Sequence, residues 1–368
     1  MFEFVPYTQE WIASVREFND RMAAGGLEAE LRFPEELDVE FCKDPDGPLF
    51  REYFLAVEGR HVRGTYFITH EQWVANGCPC RVASYRLPTS EGFINARYKG
   101  LGLALLNHAL SRNPLLYGLG YGDRNRPLAR LVLSEGWLME ETPFYFRCVH
   151  PRKVVRNLPW LRKDPVWRFL LDAAALSGGW AGITALQRLR TRVPAGATTF
   201  STVEDFGDWV DNLWDRARDA YSALAVRNRR MLRTRYPASD SRFIKVAVHC
   251  ESQLCGWMVG LATTMQSHRH FGNLRVGTIV DCLALPGKED NVIHAAVRAL
   301  EERHVDLIVS NQSHRNWCRA LERAGFLSGP TNRFFTPSPE LRCLLEPFAE
   351  KFPRTHLTRG DAAGPVHL

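Results

Sequence analysis

The stretch Arg97-Tyr98-Lys99-Gly100-Leu101-Gly102 joins two cations and a glycine-rich turn to the start of an apolar-striped segment. Leu101, Leu105, Leu106, Ala109 and Leu110 recur at helical spacing, so the residues from Leu101 to Leu110 predict an amphipathic helix opening directly out of the turn. The first amides of a helix point outward and carry a partial positive charge, and glycines remove the side chains that would keep a pyrophosphate from reaching them. Arg97 and Lys99 add the charge that a diphosphate demands. The hexapeptide therefore reads as a phosphate cradle. It lacks both the second glycine pair of the dinucleotide fingerprint and the Gly-Lys-Ser/Thr of the P-loop.

Outward from the cradle, the 368 residues and 45 % hydrophobic content allow a sizeable core and favour two domains over one. Met1-Phe2-Glu3-Phe4 has no basic region followed by an apolar one, and no run of 18 apolar residues follows, so neither a signal peptide nor a membrane span is expected and the default compartment is the cytoplasm. Nine cysteines without a CxxC pair read as reduced thiols. Cys78 and Cys80 near His70, and the turn residues His268 and His270, lack a second ligand pair at zinc spacing, so no metal is expected.

The chain also repeats itself at an offset of about 190 residues. Phe54-Leu55-Ala56-Val57 and Gly64 are mirrored by Lys245-Val246-Ala247-Val248 and Gly256, the two glycines standing 192 residues apart. The predicted helix from Asn125 to Leu133, ending in Gly136-Trp137, is mirrored by His314 to Arg323, ending in Gly325-Phe326. Upstream, Trp11 to Phe18 matches Phe206 to Leu213. Each half predicts an early helix, a two-stranded meander, and a strand ending Leu87-Pro88 or Leu285-Pro286. A helix, a buried strand (Leu115 to Gly120, or Val305 to Ser310), a second helix and a last strand follow. Such alternation is an α+β pattern with a mixed sheet.

The R-x-x-G-x-G loop, this element order and the helix ending in Gly-Trp or Gly-Phe together resemble the GCN5-related N-acetyltransferase (GNAT) superfamily. The resemblance covers nearly the whole chain outside residues 150–195 and the part after about 345. It implies two tandem domains, 1–149 and 196–345, each a mixed and mostly antiparallel sheet flanked by helices. A basic helical connector, 150–195, would join them, and 346–368 would form a tail. It further implies an acyl-CoA-dependent N-acyltransferase acting by direct attack in a ternary complex. Acetyl-CoA or another acyl-CoA would be the co-substrate, and the acceptor an amine of a small molecule or of a cell-envelope or polysaccharide precursor. The acyl-CoA would be held by Arg97, Tyr98, Lys99, Gly100, Leu101, Gly102, Leu103 and Asn125.

The halves differ where it matters. The second is shorter where the loop lies in the first, and Gly287-Lys288-Glu289-Asp290-Asn291 stands in its place. Two carboxylates suit a helix start but repel a pyrophosphate. Only the N-terminal half is expected to bind acyl-CoA, and the C-terminal half is expected to be a degenerate copy.

In the resembled family a splay between two central strands admits the pantetheine arm, a backbone amide of the fourth strand polarises the thioester, and a tyrosine on the last helix often protonates the thiolate. That tyrosine position falls on Val132 here, and on Leu321 in the second half. Substitutes are Tyr121 and Asp123 after the buried strand, Tyr85 on the fourth strand, and Glu91 before the cradle. Each has a plainer alternative: packing for the tyrosines, a helix cap for Asp123, a solvated charge for Glu91. Asp281, alone among apolar residues in Ile279-Val280-Asp281-Cys282-Leu283, reads either as a ligand of the acceptor amine or as a paired core residue.

Residues 150–194 carry nine Lys/Arg against two Asp, a net +7 within a chain of +6, which argues against a nucleic-acid surface on the domains. Trp160, Trp167 and Trp180 among these cations also suit a helix pair lying on an anionic membrane, so a membrane-peripheral location is the alternative to ordinary packing helices. Two other readings compete with acyl transfer from CoA: a FemAB-like aminoacyltransferase with a tRNA donor, and a non-catalytic acyl-CoA-binding protein.

Overall fold

The computed structural model describes residues 2–36, 44–157, 180–194, 196–331 and 333–362. The N-terminal run begins with β1 (Glu3–Pro6) and α1 (Ile12–Ala24), whose buried Val15, Phe18 and Met22 share one helical face. Then come β2 (Leu49–Glu58), β3 (His61–Ala75) and β4 (Cys78–Ser90), α2 (Leu101–Arg112), β5 (Leu116–Leu119), α3 (Pro127–Ser134) and β6 (Glu140–Glu141). The chain continues with β7 (Phe144–Cys148), α4 (Pro151–Asn157), α5 (Trp180–Arg190), β8 (Thr198–Thr202), α6 (Trp209–Ala217), β9 (Ala223–Ala225) and α7 (Arg229–Arg235). The repeat follows as β10 (Ile244–Cys250), β11 (Gln253–Thr264), β12 (Arg275–Ala284), α8 (Glu289–Glu301), β13 (Leu307–Asn311), α9 (Arg315–Arg323) and β14 (Leu327–Gly329). The chain closes with β15 (Phe334–Pro337), α10 (Pro339–Leu344) and β16 (Thr355–His356).

Two sheets of matching order result, β1-β2-β3-β4-β5-β15-β6 and β8-β10-β11-β12-β13-β7-β14. Along these two runs each sheet is antiparallel except at its centre, where β4 pairs with β5, and β12 with β13, in parallel. The fold class is thus the expected mixed, mostly antiparallel α+β pair. The division of the chain differs from the expected boundaries: one compact unit comprises 1–141 with 332–348, the other 142–331 with 349–368. The reason is that the strand after each repeat's last helix crosses over. β7, at the end of the first repeat, pairs with β13, and β15, at the end of the second, pairs with β5.

In the first unit α2 covers one sheet face through Leu101, Leu105, Leu106 and Ala109 packed on Ala56, Tyr66, Ile68, Ala83 and Tyr85. α1 covers the other through Val15, Phe18 and Met22 against Tyr53, Leu55, Val57 and Phe67. Strand alternation assigns these sets to opposite faces. The helix expected from Asn125 starts at Pro127 instead, because proline presets the first helical φ and offers no amide to be bonded there. Both last helices end on a left-handed glycine, Gly136 (φ +80) and Gly325 (φ +79). The aromatic amide beyond each reaches back: Trp137 donates to the Val132 carbonyl at 3.1 Å and Phe326 to Leu321 at 3.0 Å.

Of the basic connector, α4 and α5 belong to the second unit. Val154 and Val155 are buried, and Gln187 donates to the Gly325 carbonyl at 3.2 Å. Of Trp160, Trp167 and Trp180, which the membrane reading invokes, the first two lie outside the described residues and the third opens α5. No helix among the described residues is long and apolar enough to cross a membrane.

Candidate functional site

Ala96–Tyr98 form a single 3-10 turn, capped by the Asn95 side chain accepting from the Arg97 amide at 3.0 Å. Gly100 is the N-cap of α2 and supplies no side chain to its first amides. A β-carbon at Gly100 would meet nothing within 4 Å, so the helix start is open on that side. Lys99 is exposed, and Tyr98 is buried with its hydroxyl donating to Glu58 Oε2 at 2.9 Å. Arg97, whose side chain is 70 % exposed, pairs with the other oxygen of Glu58 at 3.0 Å. Arg63 reaches the same carboxylate at 3.2 Å. The hydrogen bond from Tyr98, with Arg97 and Arg63 beside it, holds the Glu58 carboxyl below the usual range. Glu58, at the end of β2, thus puts an anion next to the cradle. Sequence reading missed it, because 39 residues separate it from Arg97.

The central strands part beside this turn. β4 and β5 are paired only at Ala83 with Leu116 and Ser84 with Tyr117, although β4 runs on to Ser90 and β5 to Leu119. β4 is also irregular there: the ladder to β3 slips between Thr65 and Phe67, and Leu87 takes a left-handed φ of +44. A bulge at the parting point bends the strand away and frees its backbone from regular pairing.

Tyr85 and Tyr121 both lie at this split. Tyr85 points into the α2-side core, is 1 % exposed, and its hydroxyl is without a hydrogen-bond partner among the described residues. The Tyr121 ring lies against Gly118 of β5, where any β-carbon would collide with it. Its hydroxyl crosses to β4 and donates to the Tyr85 carbonyl at 3.3 Å. Burial raises both phenols above their ordinary pKa, so each is a proton donor at neutral pH.

The remaining residues stand apart from the split. Glu91 is buried rather than solvated, and both its oxygens face Arg63, at 3.1 and 3.0 Å, with Arg21 at 3.6 Å. Its geometry is that of an ion pair tying the cradle loop to β3. Asp123 is exposed and accepts from the Asn125 amide at 2.9 Å, a turn-forming bond before α3 rather than a cap on its N-terminus. Asn125 is exposed too, with its side-chain amide donating to Asp123 at 3.2 Å.

Asp281 lies in the second unit and is fully buried. Oδ1 accepts from Arg227 Nε at 2.9 Å, Thr358 Oγ1 at 3.1 Å and the Cys282 amide at 2.9 Å, and Oδ2 accepts from Tyr236 at 3.0 Å. That is the paired-core alternative. Asp361 completes the network with Arg227 at 2.9 Å and Arg235 at 3.2 Å.

The second unit also splits, since the β12–β13 pairing ends at Ile279 with Ser310. Here the gap is filled by the chain's own C-terminal segment. Gly360 donates to the Val280 carbonyl at 2.9 Å, His356 Nε2 to the Cys282 carbonyl at 2.8 Å, and Leu357 to Ser313 Oγ at 2.8 Å. The segment expected to be a tail is therefore core: Thr355, His356, Leu357 and Thr358 are all 0 % exposed. At the start of α8, Glu289 is buried and Asp290 pairs with Arg323 at 2.8 Å.

No family model matches the chain, and no curated protein does. Among solved structures, the chain is similar to a tandem GNAT protein from the clavulanic acid biosynthesis pathway, at 16 % identity, 92 % of this chain, 98 % of that one and TM-score 0.50. It is similar to a probable N-acyltransferase of Enterococcus faecalis V583, at 11 % identity, 94 % of this chain, 75 % of that one and TM-score 0.53. It is also similar to the N-myristoyltransferase of Saccharomyces cerevisiae, solved with bound myristoyl-CoA, at 9 % identity, 91 % and 81 % coverage and TM-score 0.51. Two matching mixed sheets, each parting at its central parallel pair, and likeness along nearly the whole length to a tandem protein lead to one identification: the chain has the fold of the GCN5-related N-acetyltransferase superfamily, in two copies.

Proposed function

We propose that the chain transfers an acyl group from acyl-CoA to the amine of a small-molecule or precursor acceptor, with the donor held in the first unit alone. The observation that carries this reading is the contrast between the two splits. In the first unit a single tyrosine side chain crosses the gap beside an uncapped helix start with Arg97 and Lys99. In the second a backbone segment fills it, and the helix start holds Glu289 and Asp290. A side chain can turn aside for a pantetheine arm, whereas a hydrogen-bonded core segment cannot do so cheaply.

The diphosphate of the donor would rest on the α2 amides and displace Glu58 from Arg97. The pantetheine arm would lie along the parted edge of β4. The free amine attacks the thioester carbonyl, forming the C–N bond, and the C–S bond then breaks. Backbone amides at the Leu87 bulge stabilise the oxyanion, and Tyr121, protonated at neutral pH, gives its proton to the departing thiolate and regains one from the proton that the attacking nitrogen sheds. Arg97→Ala should raise the acetyl-CoA dissociation constant about tenfold or more, the scale of a lost charge-assisted hydrogen bond, and calorimetry reads it directly. An unchanged affinity refutes the cradle. Release of free thiol from acetyl-CoA, dependent on an added amine, tests the transfer itself.

A further inference from the structure

β4 carries a second pair of polar side chains where it leaves β5, on the face turned away from α2. Ala83 and Tyr85 enter the α2-side core, so strand alternation sends Ser84 and Arg86 to the other face, about 7 Å apart. Ser84 is 1 % exposed and its hydroxyl has no hydrogen-bond partner among the described residues. Arg86 sits across the ladder from Phe67, half-buried, with no ion pair or hydrogen bond among the described residues. The groups that act on it are the phenols of Tyr121 and Tyr117 and a like charge, Arg51. Burial depresses its pKa and no carboxylate offsets this.

Guanidinium groups inside proteins are almost always paired. Of the arginines near it, Arg63 and Arg97 have glutamates and Arg51 bonds Thr69 at 3.1 Å and Tyr53 at 3.2 Å, whereas Arg81, earlier on β4, also has a guanidinium nitrogen without a partner among the described residues. Arg86 and Ser84 depart from the rule together, at the last residue paired to β5 and the position two beyond. Their open hydrogen-bonding capacity matches one planar anion, bound bidentately by the guanidinium and capped by the hydroxyl.

We infer that Arg86 and Ser84 bind a carboxylate carried by the amine acceptor. The inference rests on the N-acyltransferase reading, which puts the donor's phosphates at α2 and leaves this opposite face to the acceptor. A carboxylate on the acyl chain would offer the same chemistry, so the test separates the two sources.

Thiol release is measured with acetyl-CoA and with succinyl-CoA against paired amines differing by one carboxylate, such as lysine and 1,5-diaminopentane. In parallel, calorimetry follows binding of the amino acids to the CoA-saturated protein. Wild type should favour the carboxylated member by about ten- to hundredfold in kcat/KM. Arg86→Gln should erase that preference through KM while CoA affinity holds, and Ser84→Ala should narrow it. Arg86→Lys, keeping charge without the fork, should recover only part. A preference that survives Arg86→Gln overturns the inference while leaving acyl transfer intact. So does an Arg86 dependence seen only as a preference for succinyl-CoA, which moves the carboxylate to the donor. Arg86-dependent binding of amino acids without any turnover supports the site and sinks the N-acyltransferase reading instead. No binding and no preference sinks the inference.

Discussion

At the scale of single residues, Gly118 and Tyr121 show how a missing β-carbon shapes the split. The Tyr121 ring occupies the space a side chain at 118 would need. Gly118→Ala should therefore cost about 1–3 kcal/mol by overpacking, read as a lower denaturation midpoint. Combining it with Tyr121→Ala should return most of that loss, because the clash then has no partner; a fully additive double mutant would refute the contact. Other single residues were readable only in part. Arg97, Lys99 and the glycines announce themselves because the chemistry lies within six consecutive positions. Glu58 and Arg86 do not: one gains its meaning from residues some 40 positions away, the other from the lack of an ion-pair or hydrogen-bond partner among the described residues, and neither condition is written locally.

Among elements, the C-terminal segment separates what pattern can say from what packing decides. Thr355 to Asp361 has no helical or strand periodicity that marks it as core, yet it lies between the parted ends of β12 and β13 and is locked by Arg227 and Arg235. Against the push of burial, Arg227 and then Arg235 hold the Asp361 carboxyl below the ordinary range. Asp361→Ala leaves two arginines facing each other with less to offset them, and should cost about 3–5 kcal/mol, read by urea denaturation. A loss under 1 kcal/mol would mean the segment is held by backbone contacts alone. By contrast α2 and the repeated meanders were legible, because Leu101, Leu105, Leu106 and Ala109 declare a helical face and Phe54 to Gly64 recur at Lys245 to Gly256. The helix after Asp123 starts two residues later than the apolar spacing predicts, because Pro127 and the Asp123–Asn125 turn outweigh that spacing.

For the whole molecule, acid sensitivity should concentrate in the second unit. Burial lowers His314 to about 4 and pushes His356 well below its ordinary value, so both are neutral in the fold. A histidine whose folded pKa is depressed contributes fully above the unfolded value near 6.5, and loses that contribution as pH falls toward 4. Between pH 7 and pH 5, His314 alone should cost about 2 kcal/mol of unfolding free energy. His314→Asn, which can still cap α9, should flatten that slope; an unchanged slope would assign the acid sensitivity elsewhere. The duplication was legible at this scale, but the crossing of β7 and β15 was not, since either pairing satisfies the same apolar pattern and the same element order. That crossing has a consequence for lineage and for engineering. Once two repeats have traded their final strands, neither gene half encodes a complete sheet. Recombination at the connector would join a lobe to a foreign closing strand, so viable chimeras should require breakpoints that move Phe144–Cys148 with the second repeat's sheet and Phe334–Pro337 with the first.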